Sequence, residues 1–136
     1  MKKLIKIVLF FGLLFTFTAC SSDKLSSSFD KEEVTDKAKA VVDVISSRDY
    51  AAVVALIRSD LQDQITADQL QQAWDEQLAA AGTFSDFKSI VTKSQNDKNS
   101  NEEYAVVIIE AVYENKTLIY TLSFDTDLEL VGLYMK

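Results

Sequence analysis

An α+β domain is predicted by this sequence of 136 residues, with three short helices first and a bent four-stranded antiparallel sheet after them. Three observations carry the prediction. Apolar residues recur at helical spacing between Val34 and Ala81, then at alternate positions from Phe87 onward. Two of the helix starts carry a capping residue with a Glu or Gln three positions later. The polar breaks between the later apolar runs are short, which forces successive strands to lie antiparallel.

The first helix starts at Asp30, with Glu33 completing a capping box and Phe29 facing Val34 as a hydrophobic staple. Its buried stripe is Val34, Ala38, Val41, Val42 and Ile45, and Glu33 and Lys37 form an i,i+4 pair on the wet side. Ser46-Ser47-Arg48-Asp49 breaks the pattern. Helix two places Tyr50, Val53, Val54, Ile57 and Leu61 on one face. Helix three is capped by Thr66 with Gln69, stapled by Ile65 and Leu70, and buries Leu70, Trp74, Leu78 and Ala81. Gly82 is placed to end it.

The strands follow. Phe87 to Lys93 is the first, and Asn96 to Asn101 is a polar turn. Glu103 to Tyr113 is too apolar on both faces to be half exposed throughout. Asn115-Lys116 turns into Thr117 to Phe124, where Leu118, Tyr120, Leu122 and Phe124 share a face. Asp125-Thr126-Asp127 turns once more, and Leu128 to Met135 closes the sheet.

Composition narrows the chemistry. With 48% hydrophobic and 26% charged residues the chain has enough apolar material to fold. There is no His, so imidazole-based triads and metal sites are excluded, and the single Cys rules out an internal disulfide. Without Lys2, Lys3 and Lys6 the chain keeps 11 basic residues against 21 acidic ones, a net charge of −10. Such a surface repels phosphate backbones, and nucleic acid is not an expected partner.

Residues 1–19 have the build of an export leader. Lys2, Lys3 and Lys6 precede the apolar run Ile7 to Phe17, which is shorter than the roughly 20 residues a spanning helix needs. Phe17-Thr18-Ala19-Cys20 resembles the lipobox of bacterial lipoproteins, although Phe17 stands where leucine is usual. The resemblance implies cleavage between Ala19 and Cys20 and a diacylglycerol on the Cys20 thiol. A plain secretory peptide cleaved at Ala19, or an uncleaved anchor, are the alternatives. Two acyl chains suffice for stable attachment. Residues 20–28 are then the lipidated Cys and a Ser-rich tether reaching roughly 15 Å as a random coil, and residues 29–136 are the domain. The expected location is the cell membrane, facing outside the cytoplasm.

Three stretches carry a second resemblance: Arg48-Asp49-Tyr50-Ala51-Ala52-Val53, Leu70-Gln71-Gln72-Ala73-Trp74, and Ser123-Phe124-Asp125 through Leu130-Val131-Gly132-Leu133-Tyr134. In this order they resemble the nuclear transport factor 2-like superfamily, and within it domain-of-unknown-function family 3887, over Phe29 to Lys136. The resemblance implies a cone-like, cystatin-like α+β fold. It brings no substrate and no active-site residues.

Glu110 is a carboxylate within an apolar run. Pointing inward it would be an acid or base of raised pKa; pointing outward it would be solvated or paired with Lys116 or a neighbouring strand. Trp74, Tyr104, Glu110 and Tyr120 are candidates for a pocket, with Tyr113 and Tyr134 as further aromatic lining, though such residues equally suit a core. Asp125, Asp127 and Glu129 lack the glycine and length of a calcium loop, so no metal and no cofactor are expected. The sequence therefore points to a membrane-anchored, non-catalytic domain that binds an envelope protein or a small ligand, with a homodimer through the sheet face as a further expectation. The alternative is a small cone-fold enzyme of hydrolase or isomerase type using Glu110.

Overall fold

The computed structural model describes the backbone of residues 19–22 and all of residues 24–136. Residues 1–18 of the leader read over residues 1–19 lie outside the described residues, as do the side chains of Ala19 to Ser22.

Helix α1 spans Lys31–Ser46, and the Asp30 carboxylate accepts from the Glu33 amide at 3.0 Å. Its buried residues are Val34, Ala38, Val41, Val42 and Ile45, one apolar stripe turned to the sheet. Helix α2 covers Tyr50–Leu56 and is capped by Asp49, which accepts from the Ala52 amide at 3.1 Å. It stops short of Leu61. Ile57 turns extended and forms a parallel bridge with Leu130, and the Arg58 amide donates to the Leu130 carbonyl at 2.8 Å. Pairing with a strand edge thus overrides the helical period, and Ser59–Gln64 forms a 3-10 helix instead. Helix α3, Ala67–Ala81, has both halves of its capping box: Thr66 Oγ1 accepts from the Gln69 amide at 3.2 Å, and Gln69 Oε1 accepts from the Thr66 amide at 2.9 Å.

Four strands form an open antiparallel meander: β2 Phe84–Asp97, β3 Glu103–Tyr113, β4 Thr117–Phe124 and β5 Leu130–Met135. A short strand, β1 Ala19–Ser22, adds to the outer edge of β2. Strand β2 outruns the expected Phe87–Lys93 at both ends. Phe84 pairs with Tyr113, and Gln95 and Asn96 pair with Tyr104 and Glu103. Bulges fall between Phe84 and Asp86 and between Phe87 and Ser89, where added residues increase the local twist. Strand β5 starts at Leu130 rather than Leu128, because Leu128 has a positive φ of 60° within the turn that Asp125 organises. The Asp125 carboxylate accepts from the amides of Asp127 and Glu129.

The core lies between the helices and one sheet face. Ala105, Val107, Ile109, Ala111 and Tyr113 of β3 and Leu118, Tyr120, Leu122 and Phe124 of β4 meet Val34, Val42, Ile45, Leu70 and Trp74. On the opposite face the register lines up Val91, Ile108, Thr121 and Tyr134 in one cross-strand row, with Val91 and Tyr134 each 51% exposed.

The Ser-rich stretch expected to be a free tether is fastened to this sheet. Ser94 donates its amide to the Lys24 carbonyl at 3.2 Å, and its Oγ accepts from the Ser26 amide at 2.6 Å. Leu25 packs against the core, and Phe29 is buried in it. Composition alone misses this, because serine serves a coil and a sheet edge equally well.

Gly82 ends α3 with φ +84°, and a Cβ there would approach Glu114 Cβ to 3.0 Å. Gly82→Ala is expected to cost about 1–3 kcal/mol, the scale of a residue held in a sparsely populated backbone region. Urea unfolding measures this, and a loss below about 0.5 kcal/mol, within the scatter of neutral substitutions, would contradict it.

Candidate functional site

The corner between α1 and α2 is the most built-up polar site at the end of the sheet where β2 begins. Ser46 ends α1, Asp49 caps α2, and Arg48 between them takes a left-handed φ of 61°. That turn directs the guanidinium onto α3. Arg48 Nε and Nη2 donate to Asp75 Oδ1 and Oδ2, both at 2.8 Å, and Tyr50 Oη donates to Asp75 Oδ1 at 2.9 Å. The hydrogen bond and charge of Asp75 hold Arg48 above its ordinary pKa, and Arg48, then Tyr50, hold the Asp75 carboxyl below its own. Burial, then the bond to Asp75, pushes the Tyr50 phenol up to about 12.

A cleft of about 480 Å³ opens beside this clamp, lined by Asp43, Ser46, Arg48, Leu78, Gly82 and Phe84 among others. An adjoining hollow of about 400 Å³ is lined by Ser47, Arg48, Tyr50, Gln71 and Asp75. From the cleft a chain of hydroxyls runs into the core. Ser46 Oγ donates to the Val42 carbonyl at 2.7 Å and lies 2.7 Å from Tyr113 Oη, which lies 2.7 Å from Tyr120 Oη. The single Ser46 proton is committed to Val42, so Tyr113 donates to Ser46 and Tyr120 donates to Tyr113. The chain ends on a backbone carbonyl, not on a base, and cannot strip a proton from a nucleophile. Burial, then the bond with Tyr113, raises the Tyr120 pKa.

At the other end of the sheet Arg58 gathers three acids. Its Nε and Nη2 donate to Asp60 at 2.7 and 3.1 Å, and Nη1 lies 3.2 Å from Asp125 and 3.5 Å from Glu102. These contacts, with the hydrogen bond to Asp60 foremost, raise the Arg58 pKa, and Arg58 in turn depresses that of Asp60. Glu102 also accepts from Tyr104 Oη, and burial followed by this bond pushes Tyr104 up to about 12.

The four residues considered for a pocket do not come together. Trp74 and Tyr120 are buried on the helix-covered side. Tyr104 and Glu110 alternate with Ala105 and Ile109 of that core and so belong to the opposite face. There Glu110 lies 3.5 Å from Lys88 Nζ, a pairing with the neighbouring strand rather than with Lys116. Tyr113 is buried, and Tyr134 is exposed on the outer face. Among the described residues no group of three or more Asp, Glu or Cys is arranged to hold a metal ion. Sequence reasoning missed the Arg48–Asp75–Tyr50 clamp and the Arg58 cluster. Arg48 and Tyr50 stand in a quoted motif, but Asp75 is 27 residues away and no periodic spacing ties it to them.

Three of the five tyrosines thus keep their protons more tightly folded than unfolded. An unfolded phenol titrates near about 10, so this stabilisation is complete below pH ~10 and is lost as pH rises through about 12, the folded value for Tyr50 and Tyr104. Phenolate absorbance recorded with circular dichroism is expected to show these three ionising only as the fold is lost. Ionisation of all five near pH 10 with an intact spectrum would contradict it.

The comparisons bear on this geometry. A solved structure described as "NMR structure of protein from Ruminococcus gnavus ATCC 29149" is 28% identical, with the match covering 85% of this chain and 99% of that one at a TM-score of 0.76. No curated protein matches the chain. Residues 38–133 match the family described as "Protein of unknown function (DUF3887)", a span from the middle of α1 into β5 that takes in the corner clamp, the cleft and the Arg58 cluster. The chain belongs to the DUF3887 family.

Proposed function

We infer that the protein is a lipoprotein held by Cys20 on the outer side of the cytoplasmic membrane, and that its domain binds a protein or small ligand without catalysing a reaction. The observation that carries the non-catalytic reading is the state of the polar groups. Arg48 and Asp75 satisfy each other, Arg58 is shared among Asp60, Glu102 and Asp125, and the hydroxyl chain beside the cleft ends on the Val42 carbonyl. General acid–base work needs a group free to exchange a proton with substrate, and these groups are engaged with one another instead. Glu110, paired with Lys88 on the outer face, lends no support to the enzymatic alternative.

The finer fold proposed is the nuclear transport factor 2-like cone. Its support is the order of elements, helices first and a bulged antiparallel meander last, with α3 packed through Leu70, Trp74 and Leu78. The cleft by Ser46 and Arg48 is the binding site this reading favours, since it combines apolar lining from Leu78 and Phe84 with polar groups at its rim. The anchor rests on the apolar run that ends at Thr18-Ala19-Cys20.

In a bacterial host, wild-type protein is expected in the membrane fraction, with an N-terminal peptide whose mass includes a diacylglycerol. Cys20→Ser is expected to move the protein into the soluble fraction or to leave it as the longer precursor. An unmodified thiol on the native protein, or unchanged fractionation and mobility of the variant, would overturn the anchor.

A further inference from the structure

We propose that the lipid does not tether this domain loosely but sets its orientation, with the β2–β3 and β4–β5 turns against the bilayer and the Ser46–Arg48 cleft facing away from it. This rests on the lipoprotein reading above and adds a geometry to it. Ser94 is only 4% exposed. Its amide and its hydroxyl bond the backbone of Lys24 and Ser26, so the chain is already part of the fold at Lys24. Lys24 is four positions along the chain from Cys20, which limits the reach to about 14 Å even fully extended. That reach is shortened again by β1, where Cys20 pairs with Asn96 and Ser22 with Ser94.

Register then decides which end of the domain lies at the lipid. Strand β1 runs antiparallel to β2, so Cys20 stands beside the last residues of β2 and the turn that follows them. The same sheet end carries the turn between Phe124 and Leu130 and the Arg58 cluster. The opposite end carries the Phe84–Tyr113 pair and Gly82, where the cleft opens. Strand β3 runs between the two ends over 11 residues, or about 35 Å at 3.4 Å each.

Part of the acidity at the membrane-facing end is taken up by partners within the domain. The Asp97 carboxylate accepts from the Asn99 amide and the Ser100 hydroxyl, Glu102 is held by Tyr104 and Arg58, and Asp125 is turned into its own loop and toward Arg58. The exposed residues of the two turns are Lys98, Asn99, Ser100, Asn101 and Glu102 on one and Thr126, Asp127 and Glu129 on the other, polar groups with one basic and three acidic charges, of which Glu102 is paired with Arg58.

Since Cys20 is the single cysteine and the lipid occupies its thiol, an introduced cysteine gives one labelling position. Full-length lipidated protein carrying Lys98→Cys or Lys116→Cys would be labelled with a fluorophore and placed in phosphatidylcholine–phosphatidylglycerol vesicles bearing a headgroup quencher. The label at 98 is expected to be quenched several-fold more than the label at 116. A flexible Gly/Ser insert of about ten residues after Ser22 is expected to reduce that contrast. Equal quenching at the two positions without the insert, in protein whose Cys20 peptide carries the lipid, would overturn the orientation alone. An unmodified Cys20 peptide, with protein that does not stay on the vesicles, would overturn the anchor and the orientation together.

Discussion

Strand β3 is apolar on both of its faces, and the remaining elements are arranged around that fact. Val107, Ile109 and Ala111 on one face are covered by α1 and α3, which bring Val34, Val42, Ile45, Leu70 and Trp74 against them. On the other face Tyr104 and Val106 are buried as well. A strand in this position must be central, since its backbone groups need partners on both edges. Strands β2 and β4 supply them, and the order of the sheet follows from the short turns that join them. The helices are too short to be stable alone and depend on this surface.

Much of the fold was legible because its signals are local. The bounds of β3 and β4 are written as apolar runs between turn residues, and the Thr66–Gln69 box marks the start of α3. What was not legible depends on partners distant in sequence. Residues Ser94 to Asp97 are polar and become strand only because Lys24, β1 and β3 pair with them. Ile57 leaves the helical path because Leu130 takes it. Arg48 has nothing in its neighbourhood to announce Asp75. The side taken by Glu110 was closer to hand. With the hairpin turn at Asn115-Lys116, Ala111 comes opposite Leu118 and Glu110 opposite Ile119, on the face away from Leu118, Tyr120 and Leu122. Alternation carried across that hairpin, rather than along β3 alone, separates Glu110 from Tyr120.

The polar groups of the domain are used to hold corners together. Arg48 closes the α1–α2 joint onto α3, and Arg58 closes the end of α2 onto both sheet turns, so the two guanidiniums brace opposite ends of the same short helix. Both ends of α2 are thereby linked to neighbouring elements, and the cleft next to Arg48 is bordered by one of these links. If the domain binds as proposed, a hollow of this kind would spare the complex the ordering cost that a flexible loop would add.

The two bonds at Ser94 have a consequence for proteolytic turnover, should the protein be anchored as proposed. Proteases cut extended, unpaired backbone that can be drawn into their active sites, and exposed linkers are their usual targets. Here the stretch after Cys20 is itself knitted to a sheet edge, and Phe29 follows it into the core. Cutting the domain away from Cys20 would first require peeling that edge away. Cleavage there would scale with the population of the opened edge as well as with the protease present.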